Sequence, residues 1–145
     1  MPSLWQQFKI RVRYQETDQM GVVYHTNYLN WFEWGRTEWI RTFGLSYKQF
    51  EEAGLLLPVI EASIKYHAAA AYDQELIIRT RVESVQPMTI KFNSEIVDAM
   101  NLDQKIASGW TEHVWMNTSK KVLRLDRNSP DWYELLKSTI VNANE

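Results

Sequence analysis

The sequence predicts an α+β domain in which an antiparallel sheet of five to six strands wraps around one long central helix. Short segments with alternating apolar and polar side chains recur along most of the chain, as in strands that are buried on one face. Only residues 27–43 combine length with a helical spacing of aromatic residues. The links between the later strands are short, which favours antiparallel neighbours.

The first predicted strand covers residues 5–14 and is half-buried. Residues 16–21 follow it, and Asp18 and Gly21 in this segment indicate a loop rich in turns. The alternating positions are Phe8, Ile10, Val12 and Tyr14 on the apolar face and Lys9, Arg11 and Arg13 on the polar face.

The predicted long helix, residues 27–43, starts at a cap of Thr26 or Asn27 and ends at Gly44. It holds three of the seven Trp residues of the chain, together with Tyr28 and Phe32. Because it is apolar on nearly every face, we expect it to be buried. Its main stripe is Tyr28, Trp31, Phe32, Gly35, Trp39 and Phe43, and Leu29, Trp34 and Ile40 lie off that stripe.

The rest of the chain is predicted to be mainly strands. A short helix comes first, capped by Ser46 with Gln49 three residues later and closed by Gly54. A terminal helix begins at Pro130. The strands are predicted at residues 60–66, 76–83, 90–96 and 106–116, with a short sixth at 122–125.

Composition excludes several classes of protein. The 145 residues predict one domain spanning 1–145, and a net charge of -2 argues against a dedicated nucleic-acid binder. The absence of Cys excludes thiol nucleophiles, disulfides and Cys-based zinc sites, and the three His residues are too dispersed to predict a metal site. No apolar stretch is long enough for membrane insertion and no signal peptide is visible, so we expect a cytoplasmic protein.

The loop between the first strand and the long helix is the best candidate for chemistry. A helix N-terminus offers unpaired N–H groups that can polarise a carbonyl, and a nearby carboxylate can attack it or activate water. Asp18 and the backbone around His25 therefore form a minimal acyl-transfer set. On local sequence alone, Asp18 is also typical of a turn, His25 of a structural residue, and Tyr24 of a packing residue.

This segment resembles the signature of the hotdog-fold acyl-CoA thioesterases, in the branch of the 4-hydroxybenzoyl-CoA and Tol-Pal-associated bacterial thioesterases. The resemblance extends over most of the chain, although residues 67–71 lack a Pro that many relatives carry there. Its first segment comprises Arg13, Tyr14, Glu16, Thr17, Asp18, Gly21, Val22, Val23, Tyr24, His25, Asn27 and Tyr28, then Trp31, Phe32, Glu33, Gly35 and Arg36. Later matches are residues 58–62, Tyr66, Ala70, Tyr72, Asp73, Glu75 and Leu76.

The resemblance implies hydrolysis of an acyl-CoA or acyl-carrier-protein thioester by a homodimer or homotetramer with active sites between subunits. It places Asp18 at the catalytic carboxylate, the backbone N–H of His25 at the thioester carbonyl, and Tyr24 beside the pocket. It implies no separate cofactor, because CoA is part of the substrate.

Several alternatives stay open at this stage. Asp18 can act as nucleophile or as general base, and Glu33 on the helix is the second candidate for the carboxylate. A non-catalytic module that binds or senses acyl-CoA or acyl carrier protein is the alternative function, whereas the motif does not match that of hotdog hydratases. No basic residue is assigned to the CoA phosphates.

Overall fold

The computed structural model describes residues 5–42 and 44–144, with side chains as far as residue 140. Five strands form one antiparallel sheet in the order β1-β3-β4-β5-β2. The predicted last helical residue, Phe43, lies outside the described residues. The strands are β1 (Gln6–Arg11), β2 (Val59–Tyr66), β3 (Glu75–Val85), β4 (Thr89–Asp98) and β5 (Asn101–Val114).

Two helices have 15 residues each, one near the predicted long helix and one at the predicted terminal helix, so the first is not distinguished by its length. The first, α1 (Asn27–Arg41), packs against β1, β3 and β4, and the last, α4 (Pro130–Asn144), packs against β3. The short helices α2 (Tyr47–Glu52) and α3 (Leu125–Asn128) lie between them in the chain. Among the described residues, no helix is both long and apolar enough to cross a membrane.

The hydrophobic core is divided along α1. Tyr28, Trp31 and Phe32 in its first half pack with residues of β1, β3 and β5. Trp39 and Ile40 in its second half pack with residues from α2, β4 and α4. The first half of α1, including its N-terminus, is therefore packed against β1, which precedes the loop of Asp18, and against β3 and β5, which come later in the chain.

A close approach of helix and sheet occurs at Gly35. A Cβ atom at this position would collide with the Thr80 hydroxyl oxygen and would lie 3.0 Å from Cγ2 of Ile78, both on β3. Glycine thus lets α1 lie directly on the sheet, which fixes the height of the helix above β3.

The edge strand β2 is exposed along its length. Val59, Ile60 and Tyr66 have relative exposures of 48%, 54% and 48%, so the strand lacks the buried face that its alternation predicts. Among the described residues, β2 pairs on one side only, with β5. An exposed apolar edge of this kind is usually covered or used for association.

Two local predictions are wrong. The first strand ends at Arg11, and Tyr14 is 76% exposed in a short 3-10 helix, Tyr14–Glu16, because Arg13 and Glu16 bond to each other there. No sixth strand forms at 122–125, since Val122 makes a single bridge to Met116 and α3 begins at Leu125.

The helix α1 is also less completely buried than predicted. Leu29 and Trp34 are 39% and 46% exposed, although the Trp34 ring contacts Phe8 at a centroid distance of 5.0 Å. The predicted Ser46 cap of α2 is confirmed, since its hydroxyl accepts a hydrogen bond from the Gln49 N–H at 3.1 Å.

Candidate active site

A tight turn holds Asp18 after β1. The Asp18 N–H donates to the carbonyl of Val22 at 2.8 Å, and the Gly21 N–H donates back to the Asp18 carbonyl at 3.0 Å. Gly21 has φ of 78°, which favours glycine over residues with a side chain. One carboxylate oxygen of Asp18, Oδ1, accepts the Met20 N–H at 2.8 Å. The other, Oδ2, has no hydrogen bond to the described part of the protein.

The buried carboxylate of Glu16 ties this loop to α1. Its Oε1 accepts the Arg13 N–H at 2.7 Å, and its Oε2 accepts the Trp31 indole N–H at 3.2 Å. Burial alone would raise the pKa of Glu16, but the hydrogen bonds from Arg13 and Trp31 outweigh it and hold the pKa below its ordinary value. Glu16 is therefore an ionised structural anchor beside the candidate catalytic residue.

The backbone before α1 leaves donors unused. The Tyr24 N–H donates to Glu16, the Asn27 N–H to Tyr24, and the Tyr28 N–H to the carbonyl of His25. Within residues 5–42 and 44–144, the amides of His25 and Thr26 have no hydrogen-bond acceptor. Thr26 occupies the cap position without a side-chain cap bond. Two free N–H groups at the positive end of a helix favour a partly negative oxygen.

Asp18 and His25 line the same cleft, of about 350 Å3. Its far wall comes from the end of β2, where the Tyr66 hydroxyl donates to the carbonyl of His25 at 3.4 Å. The Nε2 atom of His67 lies 2.7 Å from the Ser108 hydroxyl. The remaining lining residues are Met20, Val22, Val23, Tyr28, Ala68 and Ala69.

Asp18 also borders a second cleft, of about 600 Å3, together with Thr17, Gln19 and Gly21. Two tyrosine rings stand there, those of Tyr14 and Tyr72, in an edge-on contact with 5.8 Å between centroids. Asp18 thus lines two clefts, one of which it shares with His25.

The other predicted residues do not line the cleft shared by Asp18 and His25. Tyr24 is 49% exposed and packs its ring on that of His25 at 4.8 Å, outside the lining of the His25 cleft. Glu33, the second candidate carboxylate, lines a different cleft with Arg36. No sequence pattern assigns a functional role to Tyr66 or His67. They reach the cleft of His25 through the pairing of β2 with β5.

The described residues assign neither a basic side chain that would bind phosphate groups nor a metal site. Arg79 pairs with Glu95, and Arg124 pairs with Asp126 at 2.8 Å, so each has an acidic neighbour. In the part of the chain that the structure describes, no group of three or more His, Asp or Glu residues could hold a metal ion.

Comparison with known proteins shows the family. A profile described as the Thioesterase-like superfamily matches residues 12–137. The chain is 35% identical over 127 residues to YneP of Bacillus subtilis (strain 168), which is provisionally named an acyl-CoA thioesterase, and the match covers 86% of this chain and 90% of YneP. It is 40% identical over 91 residues to the acyl-CoA thioesterase YbgC of Haemophilus influenzae, covering 62% of this chain and 67% of YbgC.

Solved structures agree with the sequence matches. A crystal structure described as a DHNA-CoA thioesterase from Staphylococcus aureus has a TM-score of 0.88 and 33% sequence identity. The match covers 97% of this chain and 93% of that one. With one antiparallel sheet packed on helices, and with a family match over nearly all of its length, the chain belongs to the thioesterase-like, hotdog superfamily.

Proposed function

We propose that this protein hydrolyses an acyl-CoA thioester to a free carboxylic acid and the thiol of CoA. The observation that carries the proposal is one cleft in which a carboxylate oxygen of Asp18 and the free backbone amide of His25 are both unpaired within the described residues. The names of relatives, such as the acyl-CoA thioesterase YbgC, support the same reaction.

In the proposed mechanism, the thioester carbonyl lies against the N-terminus of α1. The free N–H groups of His25 and Thr26 stabilise the negative charge that develops on the carbonyl oxygen. Asp18 then either attacks the carbonyl carbon, which forms an anhydride that water hydrolyses, or removes a proton from the attacking water. In both routes the carbon–sulfur bond breaks and the CoA sulfur leaves as a thiolate, which takes up a proton.

Release of free thiol from a panel of acyl-CoA substrates tests the activity, with a chromogenic thiol reagent as the readout. We expect turnover of at least one thioester and its loss in Asp18→Ala. Tight binding of acyl-CoA without thiol release would instead favour a sensing module. A folded Asp18→Ala protein with a wild-type rate would remove Asp18 from the mechanism.

We propose that the protein belongs to the branch of the 4-hydroxybenzoyl-CoA and Tol-Pal-associated thioesterases and that its substrate is an acyl-CoA of the kind used by that branch. Support comes from the motif around Asp18 and from the similarity to YbgC. The panel therefore includes aromatic acyl-CoA esters, short and long aliphatic ones, and an acyl-carrier-protein thioester. A clear preference for a thioester that this branch does not hydrolyse would contradict the proposed branch, but not the proposed hydrolysis of thioesters. The cytoplasmic location stays a prediction.

We further propose a homodimer or homotetramer in which two copies meet at the edge strand β2. The exposed apolar side chains of Val59 and Ile60 support this, because an open apolar edge pairs readily with a second strand. Light scattering after gel filtration gives the mass, and Ile60→Lys should lower it. A monomeric wild-type protein with full activity would contradict the assembly.

A further inference from the structure

Arg36 on α1 carries a buried positive charge without an anionic partner. Only 6% of the residue is exposed, and it forms no ion pair with a carboxylate of the described residues. Its Nη1 donates to the Thr111 hydroxyl at a long 3.3 Å, and its buried Nε has no acceptor. Burying a charge is costly unless an opposite charge or several hydrogen bonds compensate it.

The polar groups packed against the Arg36 guanidinium are neutral. The Thr111 oxygen lies 2.9 Å from Nε2 of His113, whose Nδ1 lies 3.2 Å from the carbonyl of Leu57. Burial lowers the pKa of His113 to about 4, with the charge of Arg36 adding to the shift, so the ring is neutral at neutral pH. Burial also raises the pKa of Tyr47, whose hydroxyl therefore stays protonated, and Arg36 lies in hydrogen-bonding range of this hydroxyl. These neutral groups offer hydrogen-bonding partners but no negative charge to balance that of the guanidinium.

Arg36 lines a cleft of about 360 Å3 that is separate from the one shared by Asp18 and His25. Its volume lies near the lower end for small-molecule sites. Most of its wall is apolar, and two exposed carboxylates, Glu33 and Glu51, stand in the lining. The apolar wall is formed by Phe50, Leu55, Leu56, Leu57, Pro58 and Val59.

We infer that this cleft is a binding site for a small carboxylic acid, whose carboxylate pairs with the Arg36 guanidinium while its apolar body packs against Phe50 and Leu55. A guanidinium presents donors in a fork that matches a carboxylate. Phosphate fits less well, because it offers nothing to the apolar wall and its double charge meets stronger repulsion from Glu33 and Glu51. Binding at this site requires no turnover at Asp18.

Benzoate and its neutral analogue benzamide test the site, since they share a shape and differ in charge. We expect isothermal titration calorimetry on the wild-type protein to give benzoate an affinity about tenfold above that of benzamide. Arg36→Gln should abolish this preference. Glu33→Gln should raise the benzoate affinity about two- to fivefold and leave that of benzamide unchanged, because a repelling charge is removed.

Arg41→Gln is the matched control, because Arg41 is an exposed arginine of the same helix and pairs with Glu38 at 2.6 Å. It should leave both affinities unchanged. Equal affinities for benzoate and benzamide, or no benzoate binding, would overturn the inference. An Arg36→Gln protein that fails to fold leaves the decision to Glu33→Gln, where an unchanged benzoate affinity would overturn it.

Discussion

The indole N–H of Trp31 donates to the buried carboxylate of Glu16, with 3.2 Å between Nε1 and Oε2. The backbone carbonyl of Glu16 accepts two more hydrogen bonds, from the Tyr24 N–H and the Asn27 side chain, each at 2.9 Å. One residue thus joins the loop of Asp18 to the first turn of α1. The relative position of Asp18 and the free amides depends on this anchor.

Replacing Glu16 with Gln should lower the free energy of unfolding by about 1–3 kcal/mol, because charge-assisted hydrogen bonds to Arg13 and Trp31 become weaker ones. Urea denaturation measures the change. Glu134→Gln on the exposed surface of α4 is the control and should change stability by less than about 0.5 kcal/mol. Equal effects of the two substitutions would contradict the anchoring role.

The proposed use of the His25 backbone predicts different effects of two substitutions. His25→Ala retains the N–H and should keep the turnover number within a few-fold of wild type. His25→Pro removes the N–H and should lower it by about 10²–10³-fold. The ordered structure should persist because this N–H has no acceptor among the described residues, and circular dichroism checks it. A larger loss of turnover in His25→Ala than in His25→Pro would assign the role to the imidazole instead of the backbone N–H.

Asp18 and Glu33 line different clefts, so neutralising each should have unequal consequences. Asp18→Asn keeps an oxygen that can accept the Met20 N–H, yet it should lower turnover by about 10²–10⁴-fold because the base or nucleophile is gone. Glu33→Gln should retain most of the wild-type turnover. Thiol release from the best acyl-CoA substrate measures both, and the reverse order would make Glu33 the catalytic carboxylate.

Gly35→Ala should destabilise the protein by about 1–3 kcal/mol, because its Cβ would collide with the Thr80 hydroxyl. Adding Thr80→Ala removes the colliding oxygen and should recover part of that loss. A double-mutant cycle from thermal unfolding measures the coupling between the two sites. Strictly additive effects would mean that α1 shifts away from β3 at little cost.

Buried, neutral His113 should make stability depend on pH. The unfolded chain protonates this residue near its ordinary pKa of 6.5 and the folded protein only near 4. The unfolded state therefore binds more protons between these values, and the free energy of unfolding should fall by up to about 3 kcal/mol as the pH drops through this window. His113→Gln should flatten the dependence, whereas the exposed His67→Gln should preserve it.

Local periodicity predicted most of the fold. Strands β3 and β4 alternate between buried and half-buried residues over most of their length, so their sequences predict them well. The segment 122–125 has the same short apolar character, but a turn from Asn117 to Lys121 and the start of α3 at Leu125 leave it room for a single bridge only. Exposure of β2 depends on its place at the sheet edge, which no local pattern encodes.

The candidate site could be predicted in part. Asp18 and His25 lie close along the chain, and the turn between them brings both to one cleft. Tyr66 reaches His25 across 41 residues through the pairing of β2 with β5, and Arg36 becomes buried only when Thr111 of β5 lies beside it. Such contacts arise from tertiary structure, which is why no sequence pattern indicated the cleft lined by Arg36.

The hydrogen bond from Tyr66 to the His25 carbonyl has a mechanical consequence. That carbonyl belongs to the same peptide group as the free N–H of Thr26, and Tyr66 is the last residue of the open edge strand. In the proposed assembly, a strand that docks along β2 would therefore lie next to the residue that contacts the peptide proposed to face the reacting carbonyl. If copies associate at β2 as proposed, the Tyr66 hydroxyl links association to the loop of His25, and we expect the specific activity to vary with protein concentration.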